Sequence, residues 1–261
     1  GQEAYLFLTF TTVRNLPWAA AGHQVAWEQF LVASRQTAEI FPVEKDGQLS
    51  LDESADAVTV TDPGHGFKFT MDKKEGRITE IMYNNRPVIT AGPRFNIWRA
   101  PLDNDGVKGK EEQWRAHWKP LGRWMAAGYD QLTCQEPEVR TVERKTGRID
   151  VTVVQRFTCR GRKTGFTHRH LYKIYPGGAV EMDNTFKIDE GAKDLPRIGL
   201  RMTVAPGLEQ LAWLGRGPQE NYPDRKAGSR LGRFESTVDE QYVPYVVPQE
   251  NGHKEDVRWV F

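Results

Sequence analysis

Cysteine is scarce, with two residues in 261, Cys134 and Cys159, far apart and in no C-x-x-C pattern. This favours two free, partly buried thiols over a disulfide and offers no metal site. Charge of one sign is scarce too, since 36 basic residues stand against 35 acidic ones without a basic block. Neither nucleic acid nor an anionic membrane is expected as a partner. No apolar run approaches the length of a membrane span, and no signal peptide stands at the start. Internal repeats and low-complexity segments are missing. So is the regular alternation of strand and helix that a (β/α)₈ barrel requires.

What is present is apolar alternation with a period of two. Hydrophobic residues make up 38% of the chain and aromatic residues 11%, enough for a sizeable core. Residues 5–13 read as one strand and Val25 to Val32 as another, with Asn15-Leu16-Pro17 turning the chain between them. Trp18 and His23, in that connection, read as packing groups before they read as ligand contacts. Residues 34–56 are polar, and 37–50 is taken as a linker. Beyond it Val58 and Val60 alternate, and Phe67, Phe69 and Met71 line one face. Ile149, Val151, Val153 and Phe157 share another face, as do Val180, Met182, Phe186 and Ile188. Ile198, Leu200, Met202 and Val204 complete the series. Such repetition predicts an all-β fold of antiparallel sheets over residues 51–261.

One segment departs from the pattern. Trp114, Trp118, Leu121 and Met125 recur at helical spacing within residues 110–127. Pro120 is expected to split this segment into two short helices, and Gly128 to stop it. An apolar stripe packed on a sheet explains these residues better than a sugar-stacking platform built from Trp114, Trp118 and Trp124.

Three loop-like stretches carry the chemistry. They are Phe95–Gly106, with Arg99, Asp103, Asn104, Asp105 and Gly106; Gly215–Arg225, with Glu220, Asn221 and Arg225; and Pro244–Gly252, with Glu250 and Asn251. Each flanks an apolar run, so each reads as a loop at a strand end. Their amides, carboxylates and guanidiniums suit recognition of a polyol, and they are expected to meet on one rim. Glu220, Asn221 and Arg99 are expected to form its ordered core, with Asp105 and Gly106–Gly109 as a mobile edge. Arg99 and Arg225 could each clamp a ligand or form an ion pair, with Asp103 and Asp224 as the expected partners. Asp103-Asn104-Asp105 offers clustered oxygens but fails the EF-hand pattern, because Val107 stands where a ligand should be. His168 and His170 share a strand face, and aromatic packing in a sheet cleft explains them better than metal ligation.

"WRAPLDND", "LGRGPQENYPDR" and "PYVVPQENG", in this order and at these separations, resemble the C-terminal domain of the large β-galactosidases of glycoside hydrolase family 2. "PWAAAGHQVAWEQF" resembles the end of the preceding domain. The resemblance implies a twisted β-supersandwich of the galactose mutarotase-like kind, preceded over residues 1–36 by the last strands of an immunoglobulin-like sandwich. It also implies that the paired catalytic glutamates lie in a barrel outside this stretch, so no catalytic residue is assigned here. The segment beginning at Gly106 would be a loop beside the active-site mouth. Implied partners are a galactoside, the remaining domains of the same polypeptide and further copies of it. The magnesium and sodium ions of the family are expected mainly elsewhere, and a bacterial cytoplasm or periplasm is the implied location. Both ends read as mid-domain, with the family domain continuing past Phe261. The alternative is a self-contained sugar-binding module or an aldose epimerase, which would need an acid and a base flanking the ring oxygen.

Overall fold

The computed structural model describes residues 2–35, 47–107 and 118–261. Contacts divide the chain into two compact units, Gly1–Pro42 and Val43–Phe261. The first is a long antiparallel hairpin of β1 (Gln2–Thr11) and β2 (Gln24–Arg35), with Phe7 and Trp27 5.8 Å apart. Two strands have no layer of their own to cover them, so Leu6, Phe10, Phe30 and Leu31 stay about half exposed within this unit.

The second unit is all-β and antiparallel throughout its described sheets, as expected. A six-stranded sheet runs as a meander through β3 (Ser50–Glu53), β4 (Ala57–Asp62), β5 (Phe67–Asp72), β6 (Arg77–Tyr83) and β7 (Arg86–Asn96). A second sheet contains β8 (Leu132–Cys134), β9 (Glu138–Glu143), β10 (Ile149–Cys159), β11 (Gly165–Ile174) and β12 (Val180–Ile188). Here β8 and β9 share one edge of β10. The chain then returns to the first sheet, where β13 (Gly199–Val204) lies against β7. A third sheet, β14 (Gln210–Gly217) between β15 (Arg230–Thr237) and β16 (Trp259–Val260), completes the unit.

The alternation locates the core. Val58, Val60, Phe69, Met71 and Ile78 from the first sheet, and Val151, Val153, Tyr172 and Ile174 from the second, are fully buried in one cluster. Phe69 and Tyr172 meet across the two layers at 5.9 Å. Each such side chain contributes on the order of 2 kcal/mol by leaving water.

Two expectations need correction. Ser50–Glu53 falls in the stretch read as polar connection but is the edge strand β3, whose outer side needs no apolar residues. Ile198, just before β13, and Met202 and Val204 on it are 41–49% exposed, so that face is not covered as the alternation suggested; β13 is also an edge strand whose register shifts between Arg201 and Thr203. Pro120 opens helix α1 (Pro120–Ala127) at its first turn and Gly128 stops it, as expected of the second of the two short helices, while residues 110–117, where the first was expected, lie outside the described residues. That helix buries Leu121 and Trp124 in a second cluster with Ile97, Tyr129 and Phe166, while Trp118 is exposed and Met125 partly so. Trp114 lies outside the described residues. Both thiols are free, but Cys134 is exposed and only Cys159 buried.

Candidate functional site

The first motif leaves the end of β7. Asn96 starts the turn, its side chain donating to the Trp98 carbonyl at 2.8 Å and accepting the Trp98 N–H at 3.2 Å. A short 3₁₀ turn over Asp103–Asp105 brings Asp105 back against Leu102. One carboxylate oxygen of Asp105 therefore accepts both the Leu102 N–H, at 2.7 Å, and Arg99 Nη1, at 2.6 Å. The Arg99 guanidinium lies over the Trp124 ring, 4.9 Å from its centre, and also donates to the Pro196 carbonyl. Arg99 thus pairs with Asp105 and not with Asp103, since the turn carries Asp105 back over the strand end. Asp105 is buried and tightly bonded, so it belongs to the ordered part of the rim and not to its edge. Gly106 is buried as well. Its φ of +111° suits glycine, and an added Cβ would lie 3.0 Å from that of Lys119. Lys108 and Gly109 lie outside the described residues. Asn104, at the tip, faces solvent.

The second and third motifs meet at Glu220 and Asn221, which follow the end of β14. Asn221 is fully buried and cross-links the two loops. Its N–H donates to the His253 carbonyl at 2.9 Å, and its side-chain oxygen accepts the Glu255 N–H at 2.7 Å. Glu220 accepts Arg225 Nη2 at 2.6 Å, the Gly252 N–H at 2.8 Å and the Tyr245 hydroxyl. Arg225 pairs with Glu220 rather than Asp224, and its guanidinium sits 4.6 Å from the centre of the Tyr222 ring. Gly252 at φ +75° admits no larger residue, because a Cβ would lie 2.6 Å from the Gln241 carbonyl oxygen. Asn251 accepts the Val243 N–H at 3.1 Å and donates to the Gln249 carbonyl at 3.0 Å.

Glu250 and Gln249 join this pair of loops to the first motif. Glu250 accepts the Ala100 N–H at 3.1 Å through one oxygen and pairs with Arg197 through the other. Gln249 accepts the Asp103 N–H at 3.2 Å. All three motifs are therefore connected by direct hydrogen bonds. The groups that frame them are buried or partly buried, and the polar side chains presented outward include Asn104, Gln219, Asp224 and Arg225.

The frame is electrostatically biased. Burial alone would raise the Glu220 carboxyl, but bonds from Tyr245, Gly252 and Arg225 outweigh it and hold the group below the usual carboxylate range. Tyr222, stacked on His253 at 5.2 Å, is pushed up to about 12, first by burial and then by the Glu220 charge. Its hydroxyl is buried without a hydrogen-bond partner. Lys226 pairs with Glu255 at 2.9 Å, and Arg216 pairs with Asp256 at 2.6 Å.

Arg197, Tyr245, Glu255 and Asp256 are rim residues that the motifs did not single out. Glu255 and Asp256 lie in the polar run that follows the third motif, which is a usable signal. Arg197 carries none, since it arrives only because β13 pairs with β7. His168 and His170 are far from a ligand-like pair. Their ring centres lie 3.6 Å apart, and His168 stacks on Phe186 at 4.3 Å and bonds Asn184 at 3.1 Å. Among the described residues no three His, Cys, Asp or Glu side chains assemble a group that could hold a metal ion.

Residues 63–261 match the sequence family described as the β-galactosidase small chain. The chain belongs to this family. It is 30% identical over 257 residues to a β-galactosidase of Priestia megaterium, covering 98% of this chain and 23% of that protein. It is 31% identical over 262 residues to a β-galactosidase of Psychromonas ingrahamii, covering 99% and 25% respectively. A Vibrio cholerae β-galactosidase is 30% identical over 98% of this chain and 24% of its own length. The chain thus spans about a quarter of the length of the curated relatives it matches.

Proposed function

We propose that this chain is a non-catalytic part of a β-galactosidase, a pocket wall whose rim holds galactoside-contacting loops beside glutamates carried by other domains of the same polypeptide. The observation that carries this reading is the hydrogen-bonded joining of the three motifs in a chain of the β-galactosidase family. Asp105, Glu220 and Glu250 each commit oxygens to N–H or O–H donors of the rim. Carboxylates so occupied are suited to fixing loops, whereas a retaining mechanism needs a pair free to hold a proton and attack an anomeric carbon. Asn104, Asp224 and Arg225 remain available to a hydroxyl-rich ligand. The family description as a small chain fits a part that works beside a larger one. Binding of the family's metal ions is assigned to other domains, and assembly into a homo-oligomer to the whole polypeptide.

A chromogenic galactoside assay tests this. The chain alone is expected to give no turnover, while the full-length polypeptide turns the substrate over. In the full-length protein, Glu250→Gln should raise KM about tenfold with a smaller change in kcat, because it loosens loops that position substrate. Turnover by the chain alone, at the rate of the full-length protein, would overturn the reading.

A further inference from the structure

Asn251 is the one asparagine in the sequence that is followed by a glycine, Gly252. That pair is open to a reaction of its own. Glycine has no side chain to shield its backbone nitrogen, which can attack the Cγ of the preceding side-chain amide. The Gly252 nitrogen loses its proton to solvent, a C–N bond to Cγ forms, and the Asn251 side-chain nitrogen leaves as ammonia. Water then opens the five-membered imide at either carbonyl. One opening gives aspartate, and the other gives isoaspartate, with the main chain rerouted through the side chain.

The rim opposes each part of this step. The Asn251 oxygen accepts the Val243 N–H at 3.1 Å, and its nitrogen donates to the Gln249 carbonyl at 3.0 Å. Both ends of the amide are thus tied to backbone that precedes Asn251, whereas the attacking nitrogen follows it. That nitrogen has a tether of its own, since the Gly252 N–H donates to Glu220 Oε2 at 2.8 Å. Removing its proton would set a developing negative charge against a carboxylate that is only 8% exposed. The Gln241 carbonyl oxygen, 2.6 Å from where a Gly252 Cβ would stand, leaves this backbone little room to rotate. Reaction needs a near-attack approach of nitrogen to Cγ, and three hydrogen bonds must yield to reach it.

We propose that Asn251–Gly252 is a latent deamidation site, kept closed by Glu220, whose conversion opens the rim. The product cannot keep the present bonds. An oxygen replaces the nitrogen that donates to Gln249, and a new carboxylate arises next in sequence to Glu250. Isoaspartate also adds a methylene to the main chain, which carries the Gly252 N–H off Glu220.

The test incubates the chain in mildly alkaline buffer and follows Asn251 by mass spectrometry of the peptide that contains it. In the folded chain Asn251 should convert at least about tenfold more slowly than in the same chain unfolded in urea. Glu220→Ala should bring the folded rate most of the way to the unfolded one. Circular dichroism under the same conditions reports the folded fraction, and a mostly folded variant owes little of so high a rate to its unfolded fraction. Tyr245→Phe removes a different bond to Glu220 and leaves the Gly252 N–H bonded, so its rate should stay slow. If Glu220→Ala does not fold, Glu220→Gln takes its place, with a smaller rise expected because an acceptor remains and only the charge is lost. Equal rates in the folded and unfolded wild-type chain would overturn the proposal. So would a folded Glu220 variant no faster than wild type, or a Tyr245→Phe chain as fast as Glu220→Ala.

Discussion

At the rim, the Glu220 side chain is 8% exposed and yet held ionised by three donors. Between the sheets, His168 and His170 are 1% and 5% exposed and held neutral. Burial penalises the charged form in both places. The difference lies in what surrounds each group. Loops supply a backbone N–H, a phenol and a guanidinium that converge on one carboxylate. Paired strands have spent their N–H groups on each other, so His168 finds one amide oxygen, from Asn184, and otherwise aromatic faces. Irregular backbone can stabilise a buried ion where a regular sheet cannot.

Acid should break the interior first. Both histidines have folded pKa values below the ordinary 6.5, at about 4 and about 3, so the unfolded chain takes up protons that the folded chain refuses. Their neutral forms leave stability intact above about pH 6.5 and cause it to fall as the pH drops toward 4. The loss should reach roughly 2 kcal/mol per histidine by pH 5. Urea melts at pH 7 and pH 5 measure it, and a chain carrying His168→Gln and His170→Gln should show a flatter profile.

Glu220→Ala should cost about 3 kcal/mol at pH 7, because it strands the Tyr245 hydroxyl, the Gly252 N–H and the Arg225 guanidinium. The contribution of Glu220 has the opposite acid signature from that of a neutral histidine seeking protons. With a folded pKa below the ordinary 4.5, it is fully present above that pH and is lost only as the pH falls toward the lowered value. A Glu220→Ala chain that keeps wild-type stability at pH 7 would erase the contrast between the two regions. Arg225→Ala should be the mildest change, under about 1 kcal/mol, since half of that side chain is exposed and solvent replaces the lost donor. The same urea melts would detect a larger loss.

The interior was readable because each strand shows one face to the core. Val58, Val60, Phe69 and Met71 announce that face by spacing alone, and all four are fully buried. The same rule failed for Met202 and Val204, because periodicity marks a face but not whether another layer covers it. At the rim, sequence showed which loops carry polar chemistry and left the pairing open. Arg99 found Asp105, and Arg225 found Glu220, through turn geometry that reverses simple adjacency. Arg197 was illegible for a topological reason, since its place depends on a strand returning to the first sheet after five others have formed the second.

The reach of Glu250 bears on the order in which the molecule assembles. Its bond to the Ala100 N–H closes a separation of 150 residues, and the neighbouring bond from Gln249 to Asp103 one of 146. A contact so distant in sequence gains little while the intervening chain is still loose, because closing that loop costs entropy that only the finished sheets can offset. Hairpins such as β5–β6 close over a few residues and can form early. The Glu250 tie belongs to the last stage, so a probe on Ala100 or Asp103 would register completed folding, whereas a probe on the hairpins would register its beginning.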